Sequence, residues 1–155
     1  MTQYAYQTTV QAEWVDHNQH MNDAAYSRVF SDTTDDWLAY LGLTPQAIED
    51  WQYTVFTLEH HLTFLKEMKQ SEPITVRVQL YDYDAKRLHV FMSMYNEENE
   101  LTATYEVMLM GIDTVTGRPA PFKETMFQAI ENAYKAEPLT EKPKQLGHQI
   151  GIRHK

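Results

Sequence analysis

The densest run of reactive side chains in the sequence is Asp16-His17-Asn18-Gln19-His20-Met21-Asn22-Asp23. Three chemistries are open to these residue types. The first is none at all: a polar loop feeds a helix, Asn22 caps it, and Asp23 complements the helix dipole. The second is a metal site from Asp16, His17 and His20, with His60 and His61 as further donors, since first-row metals accept imidazole and carboxylate. No H-E-x-x-H is present, however, and the two histidine pairs fall on separate elements with no fixed spacing. The third is acyl-transfer hydrolysis. Asp16 lies a few residues before a long helix, whose first N–H groups have no partner within the helix. Such groups can hold a carbonyl oxygen as it becomes an oxyanion. The carboxylate then attacks the carbonyl or takes a proton from water. This route needs neither a G-x-S-x-G elbow nor a cysteine, and the chain has neither.

Composition narrows the setting. The chain has 155 residues, 43% hydrophobic and 23% charged, ordinary values for one globular domain. With 13 Lys and Arg against 22 Asp and Glu, the net charge is −9. That balance speaks against a nucleic-acid partner and against a basic membrane-surface helix. The absence of cysteine removes disulfides, thiol nucleophiles and Cys-ligated zinc together. Met1 to Tyr6 carries no basic or apolar leader, and no run approaches the roughly 20 apolar residues of a membrane span. A cytoplasmic protein is the expectation.

Periodicity indicates the elements that would position the Asp16 loop. Residues 4–13, rich in Thr, Tyr and Val, predict a first strand. After the loop, Tyr26, Val29, Phe30, Thr33, Trp37, Tyr40 and Leu41 recur at helical spacing, with Asp32, Asp35 and Asp36 opposite. Asn22 caps this helix, Gly42 ends it, and Thr44-Pro45 opens a second, shorter one. The period then falls to two. Phe56, Leu58, Leu62 and Phe64 alternate with polar residues, and three further alternating runs lie at 74–80, 88–94 and 101–109. The turns at 82–86 and 96–100 are too short for helical crossovers, so the strands are antiparallel. Phe122, Met126, Phe127, Ile130 and Tyr134 predict a closing helix. The expectation is an α+β domain over 1–135, one long helix against a five-stranded antiparallel sheet, then an extended, partly mobile tail over 136–155.

Asp16-His17-Asn18-Gln19-His20-Met21-Asn22, with Tyr26 after it, resembles the D-x-x-G-H-[MV]-N-x-x-x-Y motif of hotdog-fold acyl-CoA thioesterases of the 4-hydroxybenzoyl-CoA thioesterase type. The resemblance implies a helix wrapped by a five-stranded sheet, assembly as a dimer or tetramer, a site at the subunit interface, and an acyl-CoA substrate. It implies no cofactor and no metal. Asp16 falls on the catalytic aspartate; His20, Asn22 and Tyr26 fall on supporting positions. Gln19 departs from the motif's glycine. Two further stretches, Glu59-His60-His61-Leu62-Thr63-Phe64-Leu65-Lys66-Glu67 and Asp84-Ala85-Lys86-Arg87-Leu88-His89-Val90-Phe91, resemble blocks of the carnitine-pathway (betainyl-CoA) thioesterases. Met92 and Gly111 depart from that pattern, in which histidines are common.

Glu59 and His61 therefore stand as substrate-binding candidates, and equally as members of a dimer-interface hydrogen-bond network. His60, among apolar neighbours, reads as a tucked structural histidine. Lys86-Arg87 is either solvated or a contact for CoA phosphates. A betainyl head would be held by aromatic faces, for which Trp14 and Trp51 are candidates. The expected function is release of CoA and a carboxylic acid. A non-catalytic acyl-CoA binding module and a dehydratase of the same architecture are the rivals. The stretch from Ser27 to Tyr40 contains no histidine, which speaks against the dehydratase.

Overall fold

The computed structural model describes residues 4–138 and 141–154. Strand β1 (Ala5–Thr9) leads through a 3₁₀ turn (Ala12–Trp14) to α1 (Asp23–Tyr40) and α2 (Pro45–Trp51). Four long strands come next, β2 (Tyr53–Phe64), β3 (Pro73–Tyr83), β4 (Arg87–Tyr95) and β5 (Leu101–Asp113), before α3 (Glu124–Ala136). The strands form one antiparallel sheet in the order β1-β3-β4-β5-β2. The expected α+β arrangement is present.

Residues directly opposite one another on paired strands share a face. The inner face carries Val76 and Val78, then Leu88, Val90, Met92 and Met94, then Tyr105, Val107 and Leu109, all buried. Against it lies α1, with Val29, Phe30 and Trp37 buried and Phe30 stacked on Tyr105 at 4.9 Å between ring centroids. Thr33 and Thr34, buried in the same helix, return their hydroxyls to the carbonyls of Val29 and Phe30. Asn22 caps α1 and Thr44 caps α2, as their positions in the sequence predict. Gly42 adopts φ +111, a left-handed value that ends the first helix.

Several expectations shift. The first strand ends at Thr9 because the chain must leave the sheet edge, at the Val10 bond to Glu72, to enter the loop. Tyr40 is exposed and leans on Tyr4, while Leu38 takes the buried place expected of it. The alternation in β2 is broken by a bulge between Thr57 and Glu59. One extra residue flips every side chain beyond it. Phe56 therefore points to the outer face, whereas Leu62 and Phe64 point inward. His60 is exposed rather than tucked, its ring 5.1 Å from Tyr105, because β2 is the sheet's edge and nothing among the described residues covers it. The tail turns over 144–147 and lays Leu146 against the outer sheet face, rather than running on extended.

The two departures from the carnitine-type pattern have steric and polar causes. Met92 is fully buried on the inner face, where an imidazole would need a buried partner. At Gly111 a β-carbon would fall 1.7 Å from the Tyr53 hydroxyl, which donates to the Ala120 carbonyl at 2.9 Å. Gly111→Ala should therefore cost about 1–3 kcal/mol, as overpacked core positions do. Urea unfolding measures this, and an unchanged midpoint would contradict the close approach.

Candidate active site

The loop before α1 is built around Asp16. Its Oδ1 accepts the backbone N–H of Asn18 at 2.8 Å and of His20 at 3.2 Å. Its own N–H donates to the His20 carbonyl, and its carbonyl accepts from Gln19. This closed turn puts Gln19 at φ +68, the left-handed region that favours glycine. Glutamine occupies it at a cost of roughly 1–2 kcal/mol, so the departure from the motif leaves the turn's shape intact. The amide of Asn18, then that of His20, with the His17 and His20 imidazoles adding to them, hold the Asp16 carboxyl below the usual carboxylate range. Asp16 is exposed and ionised at neutral pH, and its Oδ2 takes no partner among the described residues.

Asn22 fixes the junction from both ends of its amide. Oδ1 accepts from Ala25 at 3.0 Å, and Nδ2 donates to the Trp14 carbonyl at 3.0 Å. These two bonds tie the loop to the first turn of α1. The Ala24 amide turns to Asp23 Oδ1. That leaves the Asp23 N–H, the first amide of α1, without an acceptor among the described residues. Here a carbonyl oxygen can be received. Tyr26 is buried, donates its hydroxyl to the Lys66 carbonyl at 3.2 Å, and meets Phe64 edge-on at 5.2 Å. It clamps the end of β2 to the start of α1. His20 Nδ1 lies 3.3 Å from Glu67 Oε2. Beside these groups a groove of about 330 Å³ is lined by Met21, Asp23, Tyr26, Phe64, Lys66 and Glu67.

Asp16, His20, Asn22 and Tyr26 thus come together at one loop-to-helix junction. Glu59 and His61 do not join them within one chain. They lie on the outer sheet face, five and three residues along β2 from Phe64, which faces inward. There they line a separate cleft of about 450 Å³ with His89, Glu106 and His148. Trp51, at the end of α2, is separated from the loop by the 18 residues of α1, about 27 Å of helix. Trp14 remains at the loop. Arg87 is engaged by Asp84 at 2.6 Å, at the hairpin end of the 11-residue β3, about 35 Å of strand from the Asp16 end. Among the described residues, no three His, Asp or Glu side chains are placed to hold a metal ion. The motif alone does not single out Glu67 or the Asp23 amide as site groups. Glu67 is nonetheless visible in the sequence as the last residue of the block that begins at Glu59.

Comparison with known proteins bears on this geometry. Residues 10–130 match the family described as the Thioesterase-like superfamily. The betainyl-CoA thioesterase of Pseudomonas aeruginosa is 37% identical over 95% of this chain and 93% of its own length. The L-carnitine dehydrogenase/betainyl-CoA thioesterase of a Rhizobium species is 31% identical over 93% of this chain, which spans 29% of that longer protein. A hypothetical protein from Staphylococcus aureus, solved in complex with CoA, is 41% identical with a TM-score of 0.94, covering 98% of this chain and 96% of that one. A sheet in the order β1-β3-β4-β5-β2 closed around one long helix is the hotdog fold, and this chain belongs to the Thioesterase-like superfamily.

Proposed function

We propose that this protein hydrolyses an acyl-CoA thioester to free CoA and a carboxylic acid, with Asp16 as the reacting group. The observation that carries the reading is an ionised carboxylate with one unengaged oxygen, a few residues ahead of a helix whose first amide is open. The thioester lies across the head of α1, its carbonyl oxygen receiving the Asp23 N–H. Asp16 Oδ2 either attacks the carbonyl carbon, expelling CoA thiolate and leaving a mixed anhydride that water opens, or takes a proton from the attacking water. His20, held by Glu67, and Asn22 keep the loop and helix in register. The CoA-bound relative and the thioesterases of similar sequence support this choice of substrate. A CoA substrate places the reaction in the cytoplasm.

The smallest active unit in this reading is a homodimer joined along β2. That strand is 12 residues long, pairs among the described residues with β5 on one side only, and exposes Phe56 and Leu58 to 54% and 50%. A long, apolar, unpaired edge is an association surface. The groove at Phe64 and Lys66 lies at the end of this edge, so a second copy supplies its missing wall.

The acyl group is betainyl-type, the substrate class in the names of the similar proteins. Its quaternary ammonium offers no hydrogen-bond donor and is held by ring faces and carboxylates. Phe64, Glu67 and Asp23 line the groove, and Trp14 stands in the adjoining loop. Betainyl-CoA should exceed 3,3-dimethylbutyryl-CoA, its uncharged isostere, by at least about tenfold in kcat/KM, the scale of one desolvated cation–π contact. Equal values would overturn the acyl assignment, and absence of thiol release from both would count against the hydrolase itself.

A further inference from the structure

The chain crosses the outer face of its own sheet after α3. Gln79 on β3 donates to the Glu137 carbonyl. The Gly147 N–H donates to Glu106 Oε1 on β5 at 2.7 Å. The His148 ring meets His61 on β2 at 5.6 Å, edge to face. Since the sheet order runs β3-β4-β5-β2, these contacts step strand by strand toward the β2 edge. Under this path, Phe91 on the outer face of β4 is 3% exposed and Leu146 is 6% exposed, apart from the main core. His148 therefore stands on the last strand, Gln149 still lines the cleft beside it, and residues 150–154 are exposed.

Those last residues are unsatisfied. Ile150 and Ile152 are 91% and 83% exposed and lie two residues apart. Arg153 has no partner among the described residues, and neither has Glu59, which lines the cleft beside His61. Residues 141–155 carry four Lys and Arg against one Glu in a chain of net charge −9, so the tail is the basic part of an acidic protein.

We propose that residues 149–154 are an arm that crosses the β2 edge and docks on the outer sheet face of a second copy of this chain. Ile150 and Ile152 cover apolar surface there, and Arg153 meets Glu59 of the partner subunit. The inference rests on the dimer joined along β2. In such a dimer the two-fold axis passes through the middle of β2, near Glu59, so each outer cleft lies beside the other subunit's arm. Six extended residues reach about 20 Å, and neighbouring strands are about 4.8 Å apart, so the arm clears both edge strands. The exchange is reciprocal, as two-fold symmetry requires.

Sedimentation equilibrium of the full chain, of a chain ending at His148, and of charge-reversed variants tests this. Removing the arm should weaken dimerisation by about tenfold or more, the scale of burying one aliphatic side chain. Arg153→Glu should weaken it by about fivefold, the scale of one exposed ion pair, and Glu59→Arg in the same chain should restore it. A full-length dimer whose dissociation constant is unchanged by truncation overturns the arm and leaves the β2 dimer standing. Weakening by Arg153→Glu that Glu59→Arg fails to restore overturns the assigned contact. A full-length monomer overturns the dimer and the arm with it.

Discussion

Asp16→Asn should lower kcat for acyl-CoA hydrolysis by at least about 10²-fold while leaving the folded state in place. The substitution keeps the size of the side chain and removes both its nucleophilicity and its basicity, and loss of a general base alone is worth that much. Asn Oδ1 can still accept the Asn18 and His20 amides, so the turn keeps its acceptor. Asp16 is exposed and outside the core, so the unfolding transition should not move. The pH profile of the parent enzyme carries a second mark. Because two backbone amides depress the Asp16 carboxyl, it stays ionised as pH falls past the ordinary value of about 3.9. Its acid limb in kcat/KM belongs below the ordinary carboxylate range. A variant near parental rate, or an acid limb assignable to Asp16 at pH 5–6, would remove this carboxylate from the chemistry.

Leu58→Lys should convert a dimer into an 18.2 kDa monomer and cost at least about tenfold in kcat/KM. Leu58 sits at the bulge in the middle of the unpaired β2 edge, half exposed, so lysine there disturbs no core contact of its own chain. In a two-fold dimer, a mid-strand residue lies near its own copy, and two ammonium groups would be forced together. Activity falls with association because the groove at Phe64 and Lys66 loses its second wall. Light scattering and thiol release on the same sample decide it. A Leu58→Lys protein that is dimeric and fully active would refute the β2 interface, and one that is monomeric and fully active would refute the shared groove.

The parts of the fold legible in the sequence are those fixed by local rules. The stripe from Tyr26 to Trp37, the Asn22 and Thr44 caps, Gly42 and the inner-face alternation of β3, β4 and β5 each come from periodicity or backbone stereochemistry. The misread parts depend on partners distant in sequence. The β2 bulge is set by pairing with β5, and a two-residue pattern cannot show where an extra residue enters. Glu59 and His61 share a block with Phe64 and Glu67, yet they lie five and three residues from Phe64, odd spacings that the pleat turns to opposite faces. Trp51 is near the loop in neither sequence nor space, because α1 intervenes. At the site, Asp16, His20, Asn22 and Tyr26 are legible as one motif. The Asp23 amide is not, since an open N–H is visible only once its neighbours are seen to be engaged by Asn22 and Asp23 side chains.

Continuous assay of free thiol from betainyl-CoA, in large excess over the full-length protein, tests most directly whether the site performs hydrolysis. Thiol should accumulate linearly over many equivalents per site, and the Asp16→Asn protein should be slower by at least about 10²-fold. Tight binding of the same thioester with no thiol released beyond a single equivalent would contradict it and make this chain a binding module on a thioesterase scaffold.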